Sequence, residues 1–128
     1  MPSPDDVIRA FVQTWNVVPK PDPDEISKYF AEDAVYHNIP LEPIVGRAAI
    51  RQGFVESLHR LDGIHWEVHH QVASGNVVMN ERTDTLHSGG RANPVRIMGI
   101  FEVTDGLITA WRDYFDMAEA PGNRALPQ

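Results

Sequence analysis

The chain has 128 residues, a formal net charge of −7 at pH 7 and no cysteine. That length is enough to bury one sizeable core, and one domain over residues 1–128 is expected. An acidic chain with scattered Lys and Arg lacks the basic footprint of a nucleic-acid binder, and without cysteine there are no disulfides, thiolate nucleophiles or cysteine-rich zinc sites.

"SPDDVIRAFVQTWN" opens with helix signals. Ser3 suits the cap, Pro4 the first helical position, and Asp5 and Asp6 the positive helix end. Val7, Phe11 and Trp15 follow at helical spacing, with Ile8 beside them. The prolines of "VPKPDP" break the chain. "DPDEISKYFAED" repeats the pattern, with Asp22 as cap, Glu25 placed for a capping box, and Ile26, Tyr29 and Phe30 as the apolar stripe. "AVYHNIP" reads as a short strand and "LEPIVGR" as a loop. In "AAIRQGFVESLHRLDG", Ile50, Phe54, Leu58 and Leu61 are spaced for a buried helix face, with Gly63 as its stop.

From here the period shortens to two. "IHWEVHHQVAS", "NVVMNERTDTLHS", "PVRIMGIFEV" and "LITAWRDYFDM" read as strands, and "TDG" as a tight hairpin turn. Gly99 inside a strand marks a bend. The tail from 119 to 128 is expected as loop. Helices first and strands later predict an α+β fold, with a curved, largely antiparallel sheet around the helices. No basic-then-apolar leader and no bilayer-length apolar run are present, so a soluble, intracellular (cytoplasmic) protein is expected.

Side chains alternate along a strand, so three polar sets acquire a common direction. Tyr36 and Asn38 share one face of their strand. Asn80, Arg82 and Asp84 share a face that also carries Leu86. Asp113 lies between Trp111 and Phe115 on another. Each charged set taken alone reads best as solvent-facing, where an ion pair is worth little. Taken together, with apolar neighbours on the same faces, they point inward. One guanidinium between two carboxylates is a sensible way to keep three charges in a core. Such a pair of carboxylates can divide into a general acid and a general base, because burial and mutual repulsion raise one pKa. Tyr36 and Asn38 are suited to holding a water molecule. An acid, a base and a held water in an apolar pocket suit hydrolytic ring opening.

"YHNIP", "ERTDTL" and "GLITAWRDYFD" closely resemble the limonene-1,2-epoxide hydrolase family, and the resemblance spans residues 5 to 118. It implies a cone-like curved mixed sheet with N-terminal helices over its open side, as in nuclear transport factor 2 and SnoaL-like proteins. It implies that Asp84, Arg82 and Asp113 are the acid–arginine–base trio, with Asp113 activating water and Asp84 protonating the epoxide oxygen. Tyr36 and Asn38 match the water-binding pair. The pocket wall falls on Met79, Leu86, Val95, Ile97 and Phe115. The implied substrate is a small apolar, terpene- or cyclohexene-oxide-like epoxide, turned over without cofactor or covalent intermediate.

Two other classes fit the same fold: an isomerase or cyclase acting on a steroid- or polyketide-like substrate, and a non-catalytic ligand-binding module. Neither requires all five polar groups. His65, His69 and His70 do not make a metal site, because on a regular strand His70 opposes the other two and no HExxH is present. No metal and no nucleotide motif is expected. A homodimer is expected, since the helices can cover only one side of the sheet.

Overall fold

The computed structural model describes residues 2–120. Helix α1 (Pro4–Trp15) starts where the sequence places it. Ser3 Oγ accepts from the Asp6 N–H at 3.1 Å, and Asp6 Oδ2 accepts from the Ser3 N–H at 3.3 Å. This box satisfies a helix-end donor that would otherwise be left open and pins the first turn. Val7, Ile8, Phe11, Val12 and Trp15 form the buried face. Phe11 lies at the centre of the core, its ring centroid 5.4–6.3 Å from those of Trp15, Tyr29, Phe30, Trp66, Phe101 and Trp111.

Helix α2 (Pro23–Ser27) is shorter than its pattern suggested. Asp22 caps it by accepting from the Asp24 N–H at 2.9 Å. Glu25 does not close a box; it accepts from Lys28 Nζ at 2.7 Å instead. Phe30 belongs to no helical stripe, because it opens strand β1 (Phe30–Asn38). A few apolar residues cannot by themselves separate a helix end from a strand start. Within the expected loop, β2 (Ile44–Val45) pairs antiparallel with β1. Helix α3 (Arg47–His59) buries Ile50, Phe54 and Leu58. Gly63 is not its stop: the helix ends at His59, and Gly63 begins β3 (Gly63–Ser74).

Strands β4 (Val77–Ser88), β5 (Arg91–Thr104) and β6 (Leu107–Tyr114) complete an open six-stranded sheet of order β2-β1-β6-β5-β4-β3. Among the described residues only the β1–β6 pairing is parallel, so the sheet is mixed and largely antiparallel, as expected of the α+β class. Asp105 and Gly106 take positive φ of 52° and 79°, as a tight hairpin turn with the strands' twist requires. β6 stops at Tyr114, short of the expected Met117, and a single 3₁₀ turn, Met117–Glu119, leads into the expected terminal loop, of which residues 121–128 lie outside the described residues. Among the described residues, no helix is long and apolar enough to cross a membrane.

A register shift between Val68 and His70 corrects the histidine reading. The extra residue reverses the alternation, so His70 no longer opposes His65 and His69. All three are exposed on the outer face, His69 Nε2 within 2.9 Å of Thr83 Oγ1 and His70 Nδ1 within 2.9 Å of Glu81 Oε1. Among the described residues, no three His, Asp or Glu side chains are grouped to hold a metal ion.

Candidate active site

Alternation along β4 sends Asn80, Arg82, Asp84 and Leu86 to the helix-covered face, and all four are buried. The charged groups are core residues: Arg82 is 1 % exposed, Asp84 6 % and Asp113 3 %. Cross-strand register then sets Asn80 opposite Gly99, Gly99 opposite Asp113, and Asp113 beside Asn38. Gly99 was expected to mark a bend. Its missing side chain instead leaves the space through which Arg82 reaches from β4 across β5 to β6. A Cβ at 99 would run into Arg82 Nη1 and lie 2.8 Å from Asp113 Oδ1.

Burying these charges costs several kcal/mol per ion unless each is paired and hydrogen-bonded. Here the pairing is dense. Arg82 Nε donates to Asp84 Oδ1 at 2.9 Å, and Nη2 donates to Asp84 Oδ2 at 3.2 Å and to Asp113 Oδ2 at 2.5 Å. Nη1 donates to Asn80 Oδ1 at 3.1 Å. Trp111 Nε1 donates to Asp113 Oδ1 at 2.7 Å. The guanidinium carbon sits 4.1 Å from the Trp66 ring centroid, a cation–π contact that gains strength once desolvated.

One cation cannot neutralise two anions, so the lowest-energy arrangement keeps a proton on one carboxyl. Burial raises the Asp84 pKa, the charge of Asp113 adds to the rise, and Arg82 opposes both without prevailing, leaving Asp84 at about 7. For Arg82 the balance reverses: burial disfavours its charge, but the two carboxylates win and hold it protonated. Burial and the Asp113 charge also raise the Tyr36 phenol, against a lowering by Asn38, so it stays a neutral hydroxyl. That hydroxyl donates to Asn38 Oδ1 at 3.1 Å, and its ring stacks 4.2 Å from Trp111.

Asp84, Asp113, Tyr36 and Asn38 all line one cavity of about 330 Å³. Leu86, Val95, Ile97 and Phe115 form part of its apolar wall, as expected, and α3 adds Phe54 and Leu58 opposite them. Arg82 lies behind the carboxylates rather than in the wall. Met79 is not a wall residue. It is 41 % exposed on the other face of β4, one position out of phase with Asn80. Trp66 and Trp111 line the cavity; what sequence reasoning did not assign is the polar contact that Asn80, Trp66 and Trp111 each make to the charged trio. Spacing had already placed Asn80 on the Arg82 face and Trp111 on the Asp113 face, whereas the approach of Trp66 to the guanidinium depends on tertiary packing.

The SnoaL-like domain model matches residues 8–111. Epoxide hydrolase EphG of Mycobacterium tuberculosis is 34% identical over 119 residues, covering 86% of this chain and 71% of its own length. The structure of an M. tuberculosis LEH-like epoxide hydrolase is 31% identical and superposes with a TM-score of 0.79 over 94% of this chain and 86% of that one. A protein of ketosteroid isomerase-like fold from Catenulispora acidiphila gives a TM-score of 0.80 at 19% identity, over 98% of this chain and 96% of its own. SalBIII, an epoxide hydrolase/cyclase-like enzyme of pyran ring formation in the polyether salinomycin, gives 0.79 at 19% identity, over 91% and 92%. These last two share the fold. The chain belongs to the SnoaL-like domain family and is a homologue of the LEH-like epoxide hydrolases.

Proposed function

We propose that this protein adds water to a small apolar epoxide in one step, giving a vicinal diol. The observation that carries the reading is the pair of buried carboxyls on one guanidinium, both open to the same apolar cavity. Asp113 is the base. Each of its oxygens already accepts one hydrogen bond, and a carboxylate oxygen has capacity for a second. A water bonded there would share its cavity with the Tyr36 and Asn38 pair.

Asp84 is the acid, since a carboxyl near pKa 7 keeps its proton in a large share of molecules at neutral pH. In the transition state Asp113 takes a proton from water as the water oxygen bonds to an epoxide carbon. The C–O bond of the ring breaks, and the leaving oxygen takes the Asp84 proton. Asp113 ends protonated and Asp84 ionised, and a net proton transfer between them resets the site. Arg82 touches neither substrate nor water. It positions both carboxyls and keeps them from repelling each other apart.

Leu86, Val95, Ile97 and Phe115 suit a hydrocarbon skeleton, and the cavity lies within the usual range of about 300–1,000 Å³ for small-molecule sites. Incubating the protein with terpene, cyclohexene and styrene oxides tests the reading. At least one should yield its diol, and Asp84→Asn and Asp113→Asn should each abolish it. Rearranged or cyclised product would support the isomerase or cyclase class, and binding without turnover the ligand-binding class; either would overturn the proposal.

A further inference from the structure

We propose that Gln71 and Asp5 are positioning residues, holding the Arg82 guanidinium through Asn80 by a hydrogen-bond chain of fixed direction. The proposal rests on reading Asp84, Arg82 and Asp113 as the reacting centre.

The direction follows from chemistry. A guanidinium only donates, so Asn80 must turn its Oδ1 to Arg82 Nη1, at 3.1 Å. The Asn80 amide nitrogen then points the other way and donates to Gln71 Oε1 at 3.2 Å. Gln71 Nε2 in turn donates to Asp5 Oδ1 at 2.8 Å and, at 3.4 Å, to the Asp5 carbonyl. A carboxylate only accepts, and the other Asp5 oxygen accepts from Arg9 Nε at 2.8 Å. An obligate donor stands at one end and an obligate acceptor at the other. Neither amide between them can flip without losing its bonds on both sides.

The backbone is shaped to make this link. Continuing the register of Val68 opposite Arg82 would bring His70 to Asn80; the bulge between Val68 and His70 brings Gln71 there instead. Asp5 sits in the first turn of α1, which the Ser3–Asp6 box already anchors. Asn80 is 1 % exposed, so an unmade bond there would leave a buried polar group unsatisfied. Hydrogen bonding to Gln71, more than to Arg9, also holds the Asp5 carboxyl below its ordinary range. The chain thus ties the rotation of the guanidinium to a helix on the far side of the core. Loosening it weakens the grip of Arg82 on Asp84. Asp84 is otherwise faced by Asp113 from β6 and Tyr36 from β1, and Glu56 of α3 lines the same cavity.

Gln71→Glu replaces a donor by an acceptor and sets two carboxylates against each other. Adding Asp5→Asn restores an unbroken chain with the last bond reversed. Carboxyl NMR titration of Asp84 and steady-state kinetics are measured for both variants. Gln71→Glu should raise the Asp84 midpoint by about one pH unit, carrying the fall of activity with pH upward by the same amount, while displacement of the carboxyls lowers the kcat plateau about tenfold, with KM changed less than about twofold. The double variant should recover most of both. If Gln71→Glu does not fold, Gln71→Met must raise the midpoint in the same way. An unmoved Asp84 midpoint, or a double variant no better than the single, overturns the proposal. A wild-type protein that consumes no epoxide would instead overturn the proposed function, and the NMR titration would still decide this one.

Discussion

Gly99 lies against the Arg82 guanidinium, so close that a single added methyl would collide with Nη1. Both the guanidinium and the adjoining Asp113 are buried, and neither is the free end of a mobile surface chain. Gly99→Ala should therefore push Arg82 off Asp113. Overpacking a core typically costs about 1–3 kcal/mol, which the folded state should survive. The kcat should fall by about tenfold or more, because the reacting groups are displaced by a fraction of an ångström. Urea unfolding and turnover measured together check this. Wild-type turnover in the variant would mean that the arginine has slack.

Arg82 contributes geometry as well as charge. Its planar fork bonds Asp84 through two nitrogens and Asp113 through one of them. Lysine keeps the charge but cannot span both carboxyls and Asn80 at once. Arg82→Lys should fold, with a lower thermal midpoint, and lose at least about a hundredfold in kcat, corresponding to charge-assisted bonds of about 1.5–3 kcal/mol each. Near-normal turnover would reduce Arg82 to a counter-charge.

The raised pKa of Asp84 has consequences for pH. In its proposed role as the acid, Asp84 must be protonated, so activity should fall as pH rises through about 7. Stability should follow the same direction. The unfolded carboxyl titrates near 3.9, so between about 4 and 7 the folded chain holds the extra proton and loses stability as pH rises. This contribution is fully present below the unfolded pKa and gone above the folded one. Unfolding free energy measured against pH for wild type and Asp84→Asn should differ in slope across that window. Parallel curves would place the proton elsewhere.

The inner face of β4 was legible because alternation is a local rule, and it correctly joined Asn80, Arg82, Asp84 and Leu86. The same rule excludes Met79 from the cavity wall, one residue out of phase. Reading fails where geometry is not local. A bulge after Val68 turned His70 outward and Gln71 inward, and a bulge changes no residue type that a pattern would register. The clearance at Gly99 depends on a side chain from one neighbouring strand and a carboxyl from the other. Phe30 was drawn into a helical stripe because an apolar residue at i+4 from Ile26 fits either element. The site's chemistry was visible in residue types at i, i+2. Asn80 and Trp111, two residues from the groups they hold, were within the same rule; the support from Trp66, Gly99 and Gln71 was not, because those partners lie on other strands.

The outer sheet face carries Val72, Met79, Met98 and Tyr114, all substantially exposed. Apolar residues concentrated on one face suit burial against a second copy of the chain. Light scattering at micromolar concentration should give a dimer mass, and Met79→Glu with Met98→Glu should give the monomer. A monomeric wild type would reject this.

In the proposed reaction water, not a carboxylate, attacks the epoxide while Asp113 takes its proton. Single-turnover reaction in isotope-labelled water tests it most directly, with mass analysis of both diol and protein. Direct attack by water puts one labelled oxygen in the diol in the first turnover and none in Asp84 or Asp113. Unlabelled diol from the first turnover, with label appearing in either carboxyl, would reveal a covalent ester intermediate and contradict it.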